Sequence, residues 1–116
     1  MANDMIYLHT PEEMKEAIAQ KGLSVVEWSA DWCSDCVYLK PYMPVIMGKH
    51  PDMRFYTMNR DENLDTAIEE GIQGIPSFIV YDEGREIARL VNGLRKTPKE
   101  VSDFLTEAKE KANVKD

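Results

Sequence analysis

The segment Leu23–Ser29 limits the possible folds of this chain more than any other feature of the sequence. Its apolar residues stand at both odd and even positions, so a strand formed here would be buried on both faces. Strands of this kind occur in sheets that are covered by helices on both sides. The segment therefore predicts one strand of such a sheet.

Patterns typical of strands and of helices alternate along the rest of the chain. Strands are predicted at 5–9, 23–29, 53–58, 77–81 and 86–91, and helices between 10 and 22, over 33–49, over 63–70 and from 97 onwards. The order βαβαβα requires parallel strand pairs with right-handed crossovers, and the final ββα adds an antiparallel hairpin. The sequence therefore predicts an α/β fold with a mixed central sheet of about five strands flanked by about four helices.

Two kinds of residue mark the boundaries of the predicted helices. Residues 10–13 and 97–100 each begin with Thr-Pro and end with Glu, a pattern that favours a capping box with proline at the first helical position. Pro41 and Pro44 lie inside the predicted helix 33–49. Because proline cannot donate the helical hydrogen bond, we expect Pro41 to kink this helix and Pro44 to deepen the kink or break the helix.

The composition excludes several classes of protein. The chain has 116 residues, an ordinary length for one domain, and its 14 Lys+Arg and 21 Asp+Glu give a net charge of −7. An acidic protein is a poor partner for nucleic acid or an anionic membrane, and no apolar run approaches the roughly 20 residues needed to span a bilayer. Residues 1–4 lack the basic start of a secretory signal. We therefore expect a single domain over 1–116, located in the cytoplasm.

The two cysteines of the chain, Cys33 and Cys36, lie where the buried strand gives way to a predicted helix. A helix N-terminus carries unpaired N–H groups and a partial positive charge, both of which stabilise a thiolate. The spacing lets the two sulfur atoms meet within one turn. We predict that Cys33 is exposed and attacks a disulfide, and that Cys36 is buried and resolves the mixed disulfide.

Three other interpretations of this pair remain open at this point. A structural disulfide would close a very short loop and would constrain the unfolded chain little. A zinc site needs about four ligands, and the other candidates, His9 and His50, do not fall at finger-like spacing. Two unrelated core cysteines are also possible, although the position at a strand-to-helix junction argues against them. No metal is expected.

Pro76 is the second feature that points to a functional site. It follows Gly74 and Ile75 at the start of a predicted strand. Proline is poorly tolerated inside a sheet but is allowed at the first residue of a strand, so a purely structural role is possible. The proline and the cysteine pair together are stronger evidence for a functional site than either feature alone.

In combination these features resemble the thioredoxin family over essentially the whole chain. The matching residues are the run 28–36 with its Trp-Cys-Ser-Asp-Cys motif, Pro41, the run 59–63, the run 71–78 with Gly-Ile-Pro, and Gly84. The resemblance implies a thioredoxin fold and a thiol–disulfide oxidoreductase that reduces protein disulfides. It also implies that the Cys33–Cys36 disulfide is the only redox group, with no other cofactor, and that a thioredoxin-reductase-type donor restores the dithiol.

The resemblance further assigns residues to a substrate groove. It implies a cis peptide bond before Pro76, in a segment with Gly74 beside the cysteines, where the Ile75 backbone pairs with an extended substrate segment. Trp32 would form an apolar rim, and the alternative is an ordinary half-buried aromatic residue. Asn92 replaces a smaller residue of the family pattern, so we expect it to limit access of protein substrates.

Glu27 interrupts the apolar strand, and an ionised carboxylate is costly to bury. The family places a buried carboxylate here that accepts and returns the proton of the second cysteine, which is Cys36 in this chain. Burial would raise the pKa of Glu27 toward the working range. Thr57 stands where the family has a lysine, so we expect Glu27 to lack a cation. The alternative is a solvated glutamate on a partly exposed strand.

Other departures from the family pattern leave open whether the protein is redox-active. Ser34 and Asp35 replace the usual Gly-Pro between the cysteines, and Asp35 could disfavour a negative charge on Cys33. Arg60 replaces an apolar surface residue. The leading hypothesis is therefore an oxidoreductase, and the alternative is a redox-independent binding module on the same scaffold.

Overall fold

The computed structural model describes residues 5–113 and contains the five predicted strands. The strands are β1 (Ile6–Leu8), β2 (Leu23–Ser29), β3 (Met53–Asn59), β4 (Ser77–Asp82) and β5 (Arg85–Leu90). The helices are α1 (Pro11–Ile18), α2 (Ser34–Leu39), α3 (Met43–Lys49), α4 (Leu64–Glu69) and α5 (Pro98–Asn113). Residues 1–4, on which the prediction about a secretory signal rests, lie outside the described part of the chain.

The sheet has the order β1-β3-β2-β4-β5, with β2 at its centre. β3 runs parallel to both β1 and β2, whereas β4 is antiparallel to β2 and to β5. The predicted mixed sheet is therefore confirmed. The central position of β2 explains why its sequence is apolar on both faces.

Two apolar layers cover the sheet. Val26 of β2 packs in a cluster with residues of α1 and α4, and its neighbour Val25 packs in a second cluster with residues of α2, α3 and α5. Both valines are fully buried. Because neighbouring residues of one strand point to opposite sides, helices on both faces are needed to cover β2.

The predicted helix over 33–49 is divided into two short helices. A 3-10 turn, Lys40–Tyr42, separates α2 from α3 and contains Pro41. Pro44 stands in the first turn of α3, where a missing N–H does no harm. Together α2 and α3 correspond to the single helix predicted over 33–49, so the helices match the predicted number of about four.

The predicted capping boxes are present at both Thr-Pro sites. The Thr10 hydroxyl accepts a hydrogen bond from the Glu13 N–H at 3.1 Å, and the Glu13 carboxylate accepts one from the Thr10 N–H at 3.3 Å. Thr97 and Glu100 make the same pair of contacts at the start of α5. No helix within 5–113 combines the length and the apolar character that crossing a bilayer requires.

Replacing Gly74 by alanine should destabilise the fold by about 1–3 kcal/mol, because the added methyl group has no room. A Cβ at this position would meet the backbone of Asn92 and lie 2.6 Å from the Cα atom of Gly93. Urea denaturation measures the change. Gly48→Ala is the matched control: nothing lies within 4 Å of its Cβ position, so it should not destabilise the protein. A Gly74→Ala variant as stable as wild type would contradict the predicted close contact.

Candidate active site

The junction between β2 and α2 holds both cysteines. Cys33 is the N-cap residue of α2, and its sulfur accepts a hydrogen bond from the Cys36 N–H at 3.2 Å. A side-chain oxygen usually occupies this capping position. Here the cap is the sulfur atom that is expected to react, and its hydrogen bond from a backbone N–H ties it to the first turn of α2.

Cys33 is less exposed than the sequence predicts. Only 6% of its surface is accessible, the same fraction as for Cys36, and both are free thiols. The loop before β4 lies against Cys33, with the Ile75 carbonyl oxygen 3.7 Å from the sulfur atom. The predicted exposure of Cys33 is therefore wrong, whereas the predicted burial of Cys36 is confirmed. A substrate disulfide has to reach Cys33 along the loop that contains Ile75.

The Cys36 thiol holds its proton firmly. Burial, the hydrogen bond with Cys33, and the negative charges of Cys33 and Glu27 raise its pKa to about 12. A thiol with this pKa is almost entirely protonated at neutral pH. Any reaction of Cys36 as a nucleophile therefore needs a nearby base.

Glu27 is the carboxylate placed to act as that base. It is 6% exposed, and burial raises its pKa to about 7, opposed by a hydrogen bond from Thr57 and by the positive charge of Lys40. Glu27 and Thr57 are direct register partners in the parallel pair β2–β3, which places the two side chains together. The alternative of a solvated Glu27 is wrong.

One cleft of about 370 Å³ connects the carboxylate with the buried thiol. Glu27 and Cys36 both line it, together with Thr57, Lys40 and Asp31. Because Lys40 and Asp31 are exposed, the cleft leads from the protein surface to the two buried groups. Protons can enter and leave through it without passing the substrate side of Cys33.

Lys40 corrects one expectation about Glu27. The absence of a lysine at Thr57 predicts a carboxylate without a cation, yet Lys40 supplies a positive charge from the turn between α2 and α3. Sequence reasoning missed this lysine. The available clue was its spacing: a residue four positions after Cys36 points to the same side of a helix.

Trp32 forms the rim beside the cysteines. It is 63% exposed, and its indole N–H donates a hydrogen bond to the Asp61 carboxylate. The Arg60 guanidinium lies 5.2 Å from the centre of the ring and also contacts Asp61 at 3.4 Å. The rim therefore combines an aromatic face with a fixed pair of charges, and Arg60 contributes to it directly.

Asp35, between the two cysteines, is paired with a cation. Its carboxylate lies 2.9 Å from Nε of Arg95, and the guanidinium of Arg95 lies 4.5 Å from the centre of the Tyr38 ring. The positive charge of Arg95 offsets the negative charge that Asp35 brings close to Cys33. The departure from Gly-Pro therefore does not leave an unpaired carboxylate beside the reactive sulfur.

Two loops meet to form the wall of the predicted groove. The Ile75–Pro76 peptide bond is cis, as the resemblance implies. Gly74 approaches the backbone of Asn92 so closely that no side chain fits between the loops. The Asn92 loop thus packs on the loop whose Ile75 carbonyl oxygen lies 3.7 Å from the Cys33 sulfur.

The Asn92 side chain makes contacts within its own loop. Its carboxamide oxygen accepts hydrogen bonds from the Leu94 N–H and from Nζ of Lys96, each at 2.9 Å. These contacts order the loop, and the proposed steric effect of Asn92 on protein substrates stays a prediction. Lys96 is fully buried, which nothing in its polar sequence neighbourhood indicates.

No group of three or more His, Cys, Asp or Glu side chains suited to holding a metal ion occurs among residues 5–113. His9 pairs with Glu62, and His50 forms a hydrogen bond with Ser102 at 3.0 Å. The described residues therefore offer the cysteine pair no set of metal ligands.

A dithiol at a helix start, with a buried carboxylate in the adjoining cleft, defines a site for thiol–disulfide exchange. Comparison with known proteins supports this assignment, because the sequence model of the thioredoxin family matches residues 5–107. A thioredoxin H-type protein of Fagopyrum esculentum is 32% identical over 96 residues, which cover 79% of this chain and 82% of that protein. The mitochondrial thioredoxin-2 of Schizosaccharomyces pombe is 31% identical over 80 residues, covering 69% and 60%.

The fold agrees with the same family. The crystal structure of thioredoxin from Trypanosoma brucei brucei superimposes with a TM-score of 0.84 at 17% identity and covers 95% of both chains. This chain therefore belongs to the thioredoxin family. It is a thiol–disulfide oxidoreductase with a Cys-x-x-Cys pair, and the redox-independent binding module is not favoured.

Replacing Glu27 by glutamine should make the stability of the protein less dependent on pH. The pKa of Glu27 is about 7 in the fold, against 4.5 for an unperturbed glutamate. Between these two pH values Glu27 is ionised in the unfolded chain but still protonated in the fold. The free energy of unfolding of the wild type therefore falls as the pH rises, by up to about 3 kcal/mol. Urea denaturation at pH 8 should show a more stable Glu27→Gln variant, with most of the gain lost at pH 5.

The exposed Glu16 provides the control for this experiment. Glu16→Gln makes the same substitution at an exposed position of α1 and should leave the pH dependence unchanged. If the Glu27→Gln variant kept the wild-type pH dependence, Glu27 would not be the buried group that titrates near neutral pH.

Proposed function

We propose that this protein reduces protein disulfides with Cys33 as the attacking nucleophile and Cys36 as the resolving thiol. The Cys33 thiolate attacks one sulfur of the substrate disulfide, a bond forms between them, and the second substrate sulfur leaves as a thiolate. This step keeps the substrate attached to Cys33 as a mixed disulfide.

The second step returns the substrate and oxidises the protein. Cys36 gives its proton to the Glu27 carboxylate, and the resulting thiolate attacks the Cys33 sulfur. The Cys33–Cys36 disulfide forms and the remaining substrate sulfur leaves as a thiolate, so two electrons pass from the dithiol to the substrate. The sulfur pair itself carries these electrons, and no other cofactor or metal takes part in the proposed reaction.

One observation carries this assignment of roles. A thiol with a pKa of about 12 and a carboxylate with a pKa of about 7 line the same cleft. At neutral pH about half of the Glu27 carboxylates are ionised and able to accept a proton. When Cys36 is consumed in the new disulfide, the cleft provides the path by which Glu27 returns its proton to solvent.

The groove beside Cys33 is proposed to bind an extended segment of the substrate. The Ile75 backbone would pair with that segment, Gly74 and Pro76 would shape the floor, and Trp32 and Asn92 would border it. Support comes from the 3.7 Å contact between Cys33 and Ile75 and from the close packing of Gly74 on the Asn92 loop.

We place this activity in the cytoplasm, where a thioredoxin-reductase-type donor would restore the dithiol. In that setting the protein would take part in electron transport and in cell redox homeostasis. Known relatives occupy different compartments, since one of them is mitochondrial. Immunofluorescence of the tagged full-length protein tests the location, and a mitochondrial pattern would contradict it.

Reduction of insulin in the presence of dithiothreitol tests the first step. Cys33→Ser should lower the rate to that of dithiothreitol alone, because the attacking sulfur is lost. Cys36→Ser should instead accumulate a mixed disulfide between Cys33 and the substrate, detectable by mass spectrometry. A Cys33→Ser variant as active as wild type, or a Cys36→Ser variant that traps nothing, would contradict the assigned order.

A single-turnover experiment tests the role of Glu27 in the second step. Glu27→Gln should prolong the life of the mixed disulfide by about a hundredfold at pH 7, since a positioned base typically contributes 10²–10⁴. In wild type the rate of this step should rise with pH around 7, where Glu27 loses its proton. Glu16→Gln is again the control. Release by Glu27→Gln at the wild-type rate, with the wild-type pH profile, would exclude Glu27 as the base.

A further inference from the structure

Lys96 is a charged residue that the proposed reaction leaves unused. It lies between β5 and α5 and has no accessible surface. Lysine is almost never fully buried without partners, because removing its ammonium group from water is costly. A buried lysine therefore needs compensation from its surroundings.

The surrounding loop supplies this compensation through neutral groups. Nζ of Lys96 donates to the Asn92 carbonyl oxygen at 2.9 Å, to the Asn92 carboxamide oxygen at 2.9 Å and to the Leu94 carbonyl oxygen at 2.7 Å. These contacts use all three donors of the ammonium group. The loop closes around the cation without neutralising its charge.

This loop is the one that packs on Gly74. Asn92 and Gly93 fill the space above Gly74, and the next residue, Ile75, contacts the Cys33 sulfur through its carbonyl oxygen. The Lys96 ammonium therefore fixes the loop that forms one wall of the groove. Displacement of this loop would change the surroundings of the reactive sulfur.

The charge of Lys96 also lies within electrostatic reach of the cysteines. Burial lowers the pKa of Lys96, while the negative charges of Glu100, Asp35, Cys36 and Cys33 oppose this effect. Such interactions are reciprocal, so a cation that is stabilised by thiolates also stabilises them. Its hydrogen-bond partners are neutral, so its positive charge acts through space, first on the Glu100 and Asp35 carboxylates and then on the sulfur pair.

We propose that Lys96 is a positioning residue for thiol–disulfide exchange, which holds the Asn92–Leu94 loop in place and presents a fixed positive charge to the cysteine pair. This role rests on the proposed function of Cys33 and Cys36. A lysine with a purely structural role would order the loop and leave the reactivity of the sulfur atoms unchanged. The two roles differ in what they predict for Cys33 alone.

Lys96→Met and Lys96→Gln remove the charge, and the glutamine variant keeps a hydrogen-bond donor. In either variant the alkylation of Cys33 by iodoacetamide at pH 7 should slow about three- to tenfold, and its pH profile should move to higher pH. The equilibrium with glutathione should shift toward the protein disulfide by a similar factor, because the reduced form loses stabilisation. The KM for insulin should also rise, as the groove wall loosens.

Lys99→Met is the matched control, because Lys99 lies three residues further along and its side chain is 84% exposed. It removes the same formal charge and should leave alkylation, equilibrium and KM at wild-type values. Unchanged alkylation and unchanged equilibrium in a folded Lys96 variant would overturn the proposal. Equal changes in Lys99→Met would also overturn it, since they would show an effect of net charge alone.

A measurement on the unaltered protein decides the case if neither variant folds. The Nζ resonance of Lys96 should shift between the dithiol and disulfide forms, whereas that of Lys99 should not. A Lys96 Nζ resonance at the same position in the dithiol and disulfide forms would overturn the proposal. The alkylation rate, the glutathione equilibrium and the Nζ resonance do not depend on insulin turnover, so failure of the wild type to reduce insulin would contradict the proposed function and not the role of Lys96.

Discussion

The burial of β2 on both faces is the constraint on which the rest of this structure depends. Val25 and Val26 are fully buried in opposite layers, so helices must cover both sides of the strand. After β2 the chain enters α2, one of the covering helices, and the cysteines lie at this junction. The same burial surrounds Glu27 and raises its pKa. The placement of the thiols and the raised pKa of Glu27 have one common cause.

The local parts of the fold and site could be predicted from the sequence. The capping boxes, an irregularity at Pro41 in the helix over 33–49 and the burial of Cys36 all follow from residues close together in the chain. The buried state of Glu27 follows from its position in an apolar strand. In each case one short stretch contains both the cause and the effect, which is why periodicity and spacing were enough.

The contacts that tune the site could not be predicted, because they join distant parts of the chain. Arg95 pairs with Asp35, the loop held by Lys96 packs on the distant Gly74, and the burial of Cys33 depends on Ile75. Nothing near Lys96 in the sequence separates it from an ordinary surface lysine. These interactions depend on the tertiary packing of segments that are far apart in the sequence. That packing cannot be inferred from a single sequence.

The capping role of Cys33 has a consequence for the mechanics of the reaction. The sulfur that accepts the Cys36 N–H is also the one proposed to bond to the substrate. When the protein is oxidised, the hydrogen bond from the first turn of α2 to Cys33 is joined by a covalent bond between Cys33 and Cys36. One sulfur atom therefore serves both the capping of the helix and the transfer of electrons.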